Sequence, residues 1–363
     1  MLTILSFIVV LGIIVFVHEL GHFLAAKAVG IRVEQFSLGY PPKLFGHKRG
    51  DTEYCIGWIP LGGYVKMSGM IDESLSGGEN LTGAPYEFMS KNTWQKLLVI
   101  VAGVVMNFLL AILIYTIITA SSGVSDIDDS PHIGSVLPGS PAEEVGLERG
   151  DLIVSINDVP IVNWTDLVAN IHPHPEETLT FVYEREGARQ TVEVVPYEGT
   201  TIKDWAMTRV GQVGINPGII TRPGTFSEVF VSGFKGLTRV IELVAQSIWF
   251  LISGQATYKD HGGPVLIAKL SGDAASQGIV PFLSFIAFIS VNIGCLNLLP
   301  IPALDGGHFV IITIEGIIRR ELPVKAKLVV QQVGMFLLLG LILLIIWNDI
   351  DRVFGFEWIK KLF

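Results

Sequence analysis

Apolar residues crowd into four long runs, approximately Leu2–Val29, Leu97–Ser121, Phe282–Leu299 and Leu328–Trp347. A helix crossing a bilayer needs about 20 such residues, so each run predicts a membrane span. The first and third carry polar residues in or at the end of the run, and the fourth carries no ionisable residue. Between the first two runs, residues 31–96 are rich in Gly, Pro and aromatics. Strands are expected at Val33–Phe36 and Thr52–Ile59, and turns at Pro41-Pro42 and Gly62-Gly63. The Gly-, Ser- and acid-rich stretch Asp72–Pro85 reads as mobile. Between the second and third runs, Ile133–Pro196 has short alternating strands such as Thr178–Tyr183 and Thr191–Val195, and a helix at Thr165–Ile171. In Thr225–Ser253, Phe226, Val229, Phe230, Phe234, Leu237 and Val240 recur at helical spacing, with Lys235, Arg239 and Glu242 on the other side. That pattern predicts an amphipathic helix on the membrane surface or against the soluble region.

Composition agrees. Half of the 363 residues are hydrophobic and 16% are charged, against the roughly 25% charged of soluble domains. The net charge of −9 argues against nucleic acid as a partner, because phosphate binding needs clustered Lys and Arg. Cys55 and Cys295 form no C-x-x-C spacing and read as structural. The first run has no basic segment before it and no cleavage site after it, so it is expected to stay as a membrane helix. Lys and Arg cluster in the first loop (Arg32, Lys43, Lys48, Arg49, Lys66, Lys91) and before the fourth run (Arg319, Arg320, Lys325, Lys327). By the positive-inside rule both loops are cytoplasmic, and residues 123–280 lie outside the cytoplasm.

The strongest chemical signal is His18-Glu19-Leu20-Gly21-His22. Residues i and i+4 share a helix face, so two imidazoles can grip one metal ion, and the neighbouring Glu19 can act as general base. Three ionisable groups within an apolar helix are costly and mark a functional interior. Gly21 lets another backbone or a substrate come close. A hydrolytic zinc site takes three protein ligands and one open position. The candidate third ligand is Asp305, in the stretch from Asn297 to Gly307 where Pro300 and Pro302 break the helix and two glycines permit tight turns. Asn297 is a candidate for oxyanion or substrate contact. Asn107, one turn after Gly103, reads as a helix-packing residue. His308 is expected to cap or pack, and His47, His132, His172, His174 and His261 to be solvated.

His18–His22, Phe36–Gly39, Pro42–Phe45, Ile59–Lys66 and Asn297–Asp305, in this order, resemble the motifs of the site-2 protease family of intramembrane zinc metalloproteases. The resemblance covers nearly the whole chain and is greatest to the bacterial RseP/RasP-like branch. It implies a multi-span α-helical membrane protein of about four transmembrane helices, with a membrane-associated β-hairpin region and an inserted extracytoplasmic PDZ domain. The parts are then 1–122 (first two spans and hairpin), 123–200 (PDZ), 201–280 (amphipathic helix and loop) and 281–363 (last two spans). It further implies one Zn2+ held by His18, His22 and Asp305, with Glu19 as general base. Asn297, Pro300 and Pro302 would lie on the substrate side. Ser140–Asp151 carries the PDZ likeness, with Ile133 and Gly134 expected near its peptide groove. The sequence departs from many relatives at Gly39-Tyr-Pro-Pro42 and lacks a Pro after Gly103.

The implied activity is regulated intramembrane proteolysis in the bacterial inner membrane. Its substrates would be single-span membrane proteins already trimmed outside the cytoplasm, such as anti-sigma factors or signal-peptide remnants, cut towards the cytoplasmic side. Peptide C-termini would bind the PDZ domain. A non-proteolytic PDZ-containing membrane adaptor is the alternative, and it would need neither metal nor Glu19. A transporter would show inverted repeats, and none is visible.

Overall fold

The computed structural model describes residues 1–70, 82–203, 205–256 and 262–354. Most of Asp72–Pro85 and His261 lie outside the described residues. Backbone contacts divide the chain into two compact units. One comprises Met1–Ile118, Val231–Ser247 and Ala256–Phe363, the other Thr119–Phe230 and Ile248–Gln255.

Helix α1 (Leu2–Ala28) is apolar all round, yet its buried residues form one stripe: Ser6, Val10, Ile14, His18, His22 and Ala26. The four-residue step keeps them on one face, so both histidines continue the inward-facing line. Strands β1 (Val33–Arg49) and β2 (Thr52–Met67) follow. They are longer than expected because the chain bends without leaving the sheet. The register shifts between Tyr40 and Lys43, and Phe36 pairs with Val65 on one side and Tyr54 on the other. Pro41-Pro42 and Gly62-Gly63 therefore lie within bent strands, and the hairpin turn is at Gly50 and Asp51. Helix α2 (Thr93–Ser122) buries Ile100, Gly103, Val104, Asn107 and Ala111. Ala26, Ile31, Phe36, Val65, Phe88, Val99 and Ile100 join in one hydrophobic cluster where these elements meet.

The second unit is built from strands β3 (Val124–Ile127) and β4 (Ile133–Val136), helix α3 (Pro141–Glu144), strands β5 (Leu152–Ile156) and β6 (Val159–Pro160), helix α4 (Trp164–Ile171) and strands β7 (Leu179–Arg185) to β12. Strand β8 is Ala188–Val194, β9 Tyr197–Lys203, β10 Ala206–Gln212, β11 Ile215–Pro217 and β12 Ile219–Arg222. The central sheet has the order β6-β5-β7-β8. Its core contains Ile153, Ile156, Leu167, Leu179, Phe181 and Val194. Asp151, 1% exposed, accepts from Arg185 Nε at 2.7 Å and Nη2 at 2.8 Å, which pairs a charge that burial would otherwise penalise. Strands beyond residue 200 return to the start: β11 pairs with β4 and β12 with β3. The compact unit thus reaches Phe230, past the expected limit of 200. Periodicity does not announce such short returning strands.

Helix α5 (Phe226–Ile252) starts at a capping box of Thr225 and Glu228. Gly233 and Gly236 let it lie close to Ile112, Tyr115 and Thr116 of α2. Helix α6 (Pro264–Gln277) occupies residues expected to form a loop. Its N-terminus is capped from 83 to 86 residues away: Asp349, fully buried, accepts from the N–H groups of Gly263, Val265 and Leu266 at 3.0–3.1 Å. Helices α7 (Ile279–Asn297), α8 (Asp305–Ile318) and α9 (Val324–Phe354) complete the first unit. Among the described residues, α1, α2, α7 and α9 are long and apolar enough to cross a membrane.

Asp349→Leu would leave the three N–H groups of α6 without their acceptor, an expected loss of about 1–3 kcal/mol. The check is the thermal unfolding midpoint in detergent. Arg222 and Thr225 hold the Glu228 carboxyl at about 2, below its ordinary 4.5. The depressed value stabilises the α5 cap above pH 4.5, and this contribution is lost as pH falls through about 2. Hydrogen-exchange protection at the start of α5 should hold from pH 7 to 5 and fall below pH 4.5.

Candidate metal centre

The two histidines of α1 and the first residue of α8 meet at one point. His18 Nε2 lies 3.1 Å from His22 Nε2 and 3.1 Å from Asp305 Oδ2. His22 Nε2 lies 3.5 Å from the same carboxylate oxygen. Ligands about 2.0–2.2 Å from a tetrahedral zinc stand roughly 3.3–3.5 Å apart, so this triangle has nearly the size such an ion requires. Asp305 Oδ2 is buried and makes no hydrogen bond of acceptable geometry. A buried anionic oxygen without a donor is costly, and a cation at the centre of the triangle would remove that cost. No other group of three such ligands occurs among the described residues.

Each member is positioned by a different local feature. His22 Nδ1 lies 2.8 Å from the Val99 carbonyl of α2, which fixes Nδ1 as the protonated nitrogen and leaves Nε2 with a free lone pair. Helix α2 passes the imidazoles at Gly103, where a methyl would collide with His22 Nε2 and sit 2.8 Å from His18 Cε1. At Gly21 a methyl would meet the Ala102 carbonyl, so the expected close approach is made by α2. Asp305 follows the irregular segment 298–304, in which Ala303 has φ +79°. A methyl at Gly306 or Gly307 would collide with or crowd the backbone of that segment. The carboxylate stands in the first turn of α8, where the helix dipole favours negative charge.

Glu19 sits beside the triangle. Its carboxylate accepts from the Val65 N–H of β2, and a methyl at Gly63 would stand 3.4 Å from Glu19 Cγ. The hairpin and the centre are thus in direct contact. Asn297, the last residue of α7, brings Nδ2 to 3.4 Å from His18 Nε2. Pro302 packs instead against Gly334 of α9, and Pro300 is exposed. His308 stands outside the group, lining a small cavity with Lys96, Glu315, Lys327 and Gln331.

Asn107 is in closer touch with the centre than its packing role predicts. It is fully buried, and its Nδ2 lies 3.4 Å from His18 Nδ1. One helical turn after Gly103 was the only signal, and that spacing equally marks plain helix contact.

In the second unit a groove runs between α4 and residues 211–216, lined by Leu167, Val168, Ile171, His172, Val213 and Ile215. Partial burial pushes the His172 imidazole below its ordinary value. Ile133 and Gly134 do not line this groove. They lie on β4, whose edge is taken by β11, with Ile133 in the core and Gly134 against the Pro217 carbonyl. The sequence order hides this, because β11 arrives about 80 residues later.

The model of Peptidase family M50 matches residues 6–341. The zinc metalloprotease RasP of Bacillus licheniformis is 30% identical over 425 aligned positions, covering 97% of this chain and 99% of the relative. The regulator of sigma-W protease RasP of Bacillus subtilis is also 30% identical, with the same coverage of both chains. Among solved structures, the PDZ domain of an SdrC-like protein from Listeria monocytogenes is 20% identical, covers 26% of this chain and 93% of its own, and has a TM-score of 0.21.

Gly103→Ala should lower bound zinc and activity at least about tenfold, since displaced ligands commonly cost 10–100-fold in metal affinity. Gly12→Ala, with nothing within 4 Å, is the matched control. Zinc content per purified chain checks both.

Proposed function

This chain belongs to Peptidase family M50 and is a site-2-type zinc metalloprotease, and we propose that it cuts single-span membrane proteins from within the bacterial inner membrane. His18, His22 and Asp305 would hold the zinc. The observation that carries this reading is the orphaned Asp305 Oδ2 facing two imidazole nitrogens at ligand spacing, beside Glu19.

Zinc in such a site supplies Lewis acidity, polarising the scissile carbonyl and lowering the pKa of water. The protein's own groups do the rest. Glu19 takes the proton of the attacking water on its carboxylate and returns it to the leaving amide nitrogen. The Val65 N–H holds that carboxylate in place. Asn297 Nδ2, at the rim of the triangle, is placed to donate to the oxyanion or to substrate backbone.

A transmembrane helix shields its peptide bonds with its own hydrogen bonds, so the substrate must unwind near the centre. The bent β1–β2 sheet reaches Glu19 through Gly63 and Val65. A substrate paired with that strand would recover the backbone bonds lost on unwinding. Lys and Arg distribution puts the hairpin, and so the reaction, towards the cytoplasm. The second unit would then be extracytoplasmic. We read it as a PDZ domain: a small antiparallel sheet, helix α4 beside strand β11, and an apolar groove between them that suits an extended peptide C-terminus. Bulk exclusion by this unit would favour substrates already trimmed outside.

The test is reconstitution with a trimmed single-span substrate. Glu19→Gln is expected to keep its zinc and to lose about 10²–10⁴-fold in cleavage rate. A variant that still cuts at the wild-type rate would remove Glu19 as the base. A wild type that neither binds zinc nor cuts would leave the adaptor reading.

A further inference from the structure

Helix α2 touches the metal-ligand pair three times at steps of four residues: the Val99 carbonyl at His22 Nδ1, Gly103 between the rings, and the Asn107 amide at His18 Nδ1. The first two contacts have clear consequences for a metal site. The third needs the opposite polarity. His18 Nε2 faces the centre, so a ligating His18 carries its proton on Nδ1 and needs an acceptor there. The atom facing Nδ1 is Asn107 Nδ2, a donor. On the same amide, Oδ1 is buried and has no partner.

We propose that Asn107 is a positioning residue for the zinc site: its amide Oδ1 accepts the Nδ1–H of His18 and so fixes that ring's tautomer and orientation. This rests on the reading of His18, His22 and Asp305 as zinc ligands. A half-turn of the amide about its terminal bond brings Oδ1 to where Nδ2 stands, and the backbone needs no movement. Ser290 Oγ of α7 donates to the Asn107 carbonyl at 2.9 Å, holding α2 in register. His22 needs no such device, because the Val99 carbonyl can only accept.

The proposal separates an acceptor role from a packing role. Asn107→Leu keeps the volume and removes the acceptor, and Asn107→Asp keeps an acceptor of the same shape. Zinc affinity of the full-length protein in detergent would be measured by chelator competition, without substrate. Leu is expected to weaken zinc binding about 10–100-fold and Asp to stay within a few-fold of wild type. Equal affinity for Leu and wild type, or equal loss for Leu and Asp, would overturn the proposal. Asp305→Ala is the control for the underlying reading: if it retains zinc at wild-type affinity, the ligand set itself is wrong. A second measurement needs no variant. Nitrogen-15 spectra of zinc-loaded, His-labelled wild type should show a protonated, hydrogen-bonded Nδ1 on His18, and a deprotonated Nδ1 there would refute the assignment.

Discussion

The fold is organised around the cost of one buried carboxylate. Asp305 presents a buried oxygen to two imidazole nitrogens at 3.1 and 3.5 Å. A cation at the centre would offset that cost. The nearby irregularities follow from that demand. Gly21 and Gly103 let α1 and α2 approach until backbone meets imidazole. The chain leaves helical geometry at 298–304 so that Asp305 can start a new helix pointing its first turn at the histidines. Non-helical backbone at that depth is tolerated where protein covers it, and Gly306, Gly307 and Gly334 allow the covering elements to close on it.

The second dependency is the junction of hairpin and helix. An amphipathic hairpin could lie anywhere on the membrane surface. This one is fixed by Phe36, which packs edge-on against Phe16 and Phe23 of α1, and by the Val65 N–H on Glu19. The bent sheet therefore carries its strand backbone to Glu19, and under the proposed function that contact would link the unwinding of a substrate helix to its cleavage.

Much of this was legible in the sequence where the signal is local. The four apolar runs lie within about four residues of helices α1 and α2 and of α7 at both ends, and only α9 extends further, past the Trp347 limit to Phe354. His18, Glu19 and His22 follow from helical periodicity, and Asp305 from the zinc's need for a third ligand beside a helix break. What escaped depends on residues far apart in sequence. The sequence of helix α6 suggests a loop because Gly-Gly-Pro opens it and its cap comes from Asp349. Ile133 and Gly134 are expected near the groove, and the strand that lines it, β11, joins β4 from the far end of the unit. Asn107 read as packing because its contact with His18 spans 89 residues. The long strands β1 and β2 were cut short at Pro41-Pro42 and Gly62-Gly63, which bend the sheet without ending it.

The most direct measurement is zinc K-edge X-ray absorption on the purified full-length protein. The account predicts a first shell of nitrogen and oxygen at about 2.0–2.2 Å, with the outer-shell signature of two imidazoles and no sulfur. A sulfur shell at about 2.3 Å, or a single imidazole, would contradict a centre built from His18, His22 and Asp305.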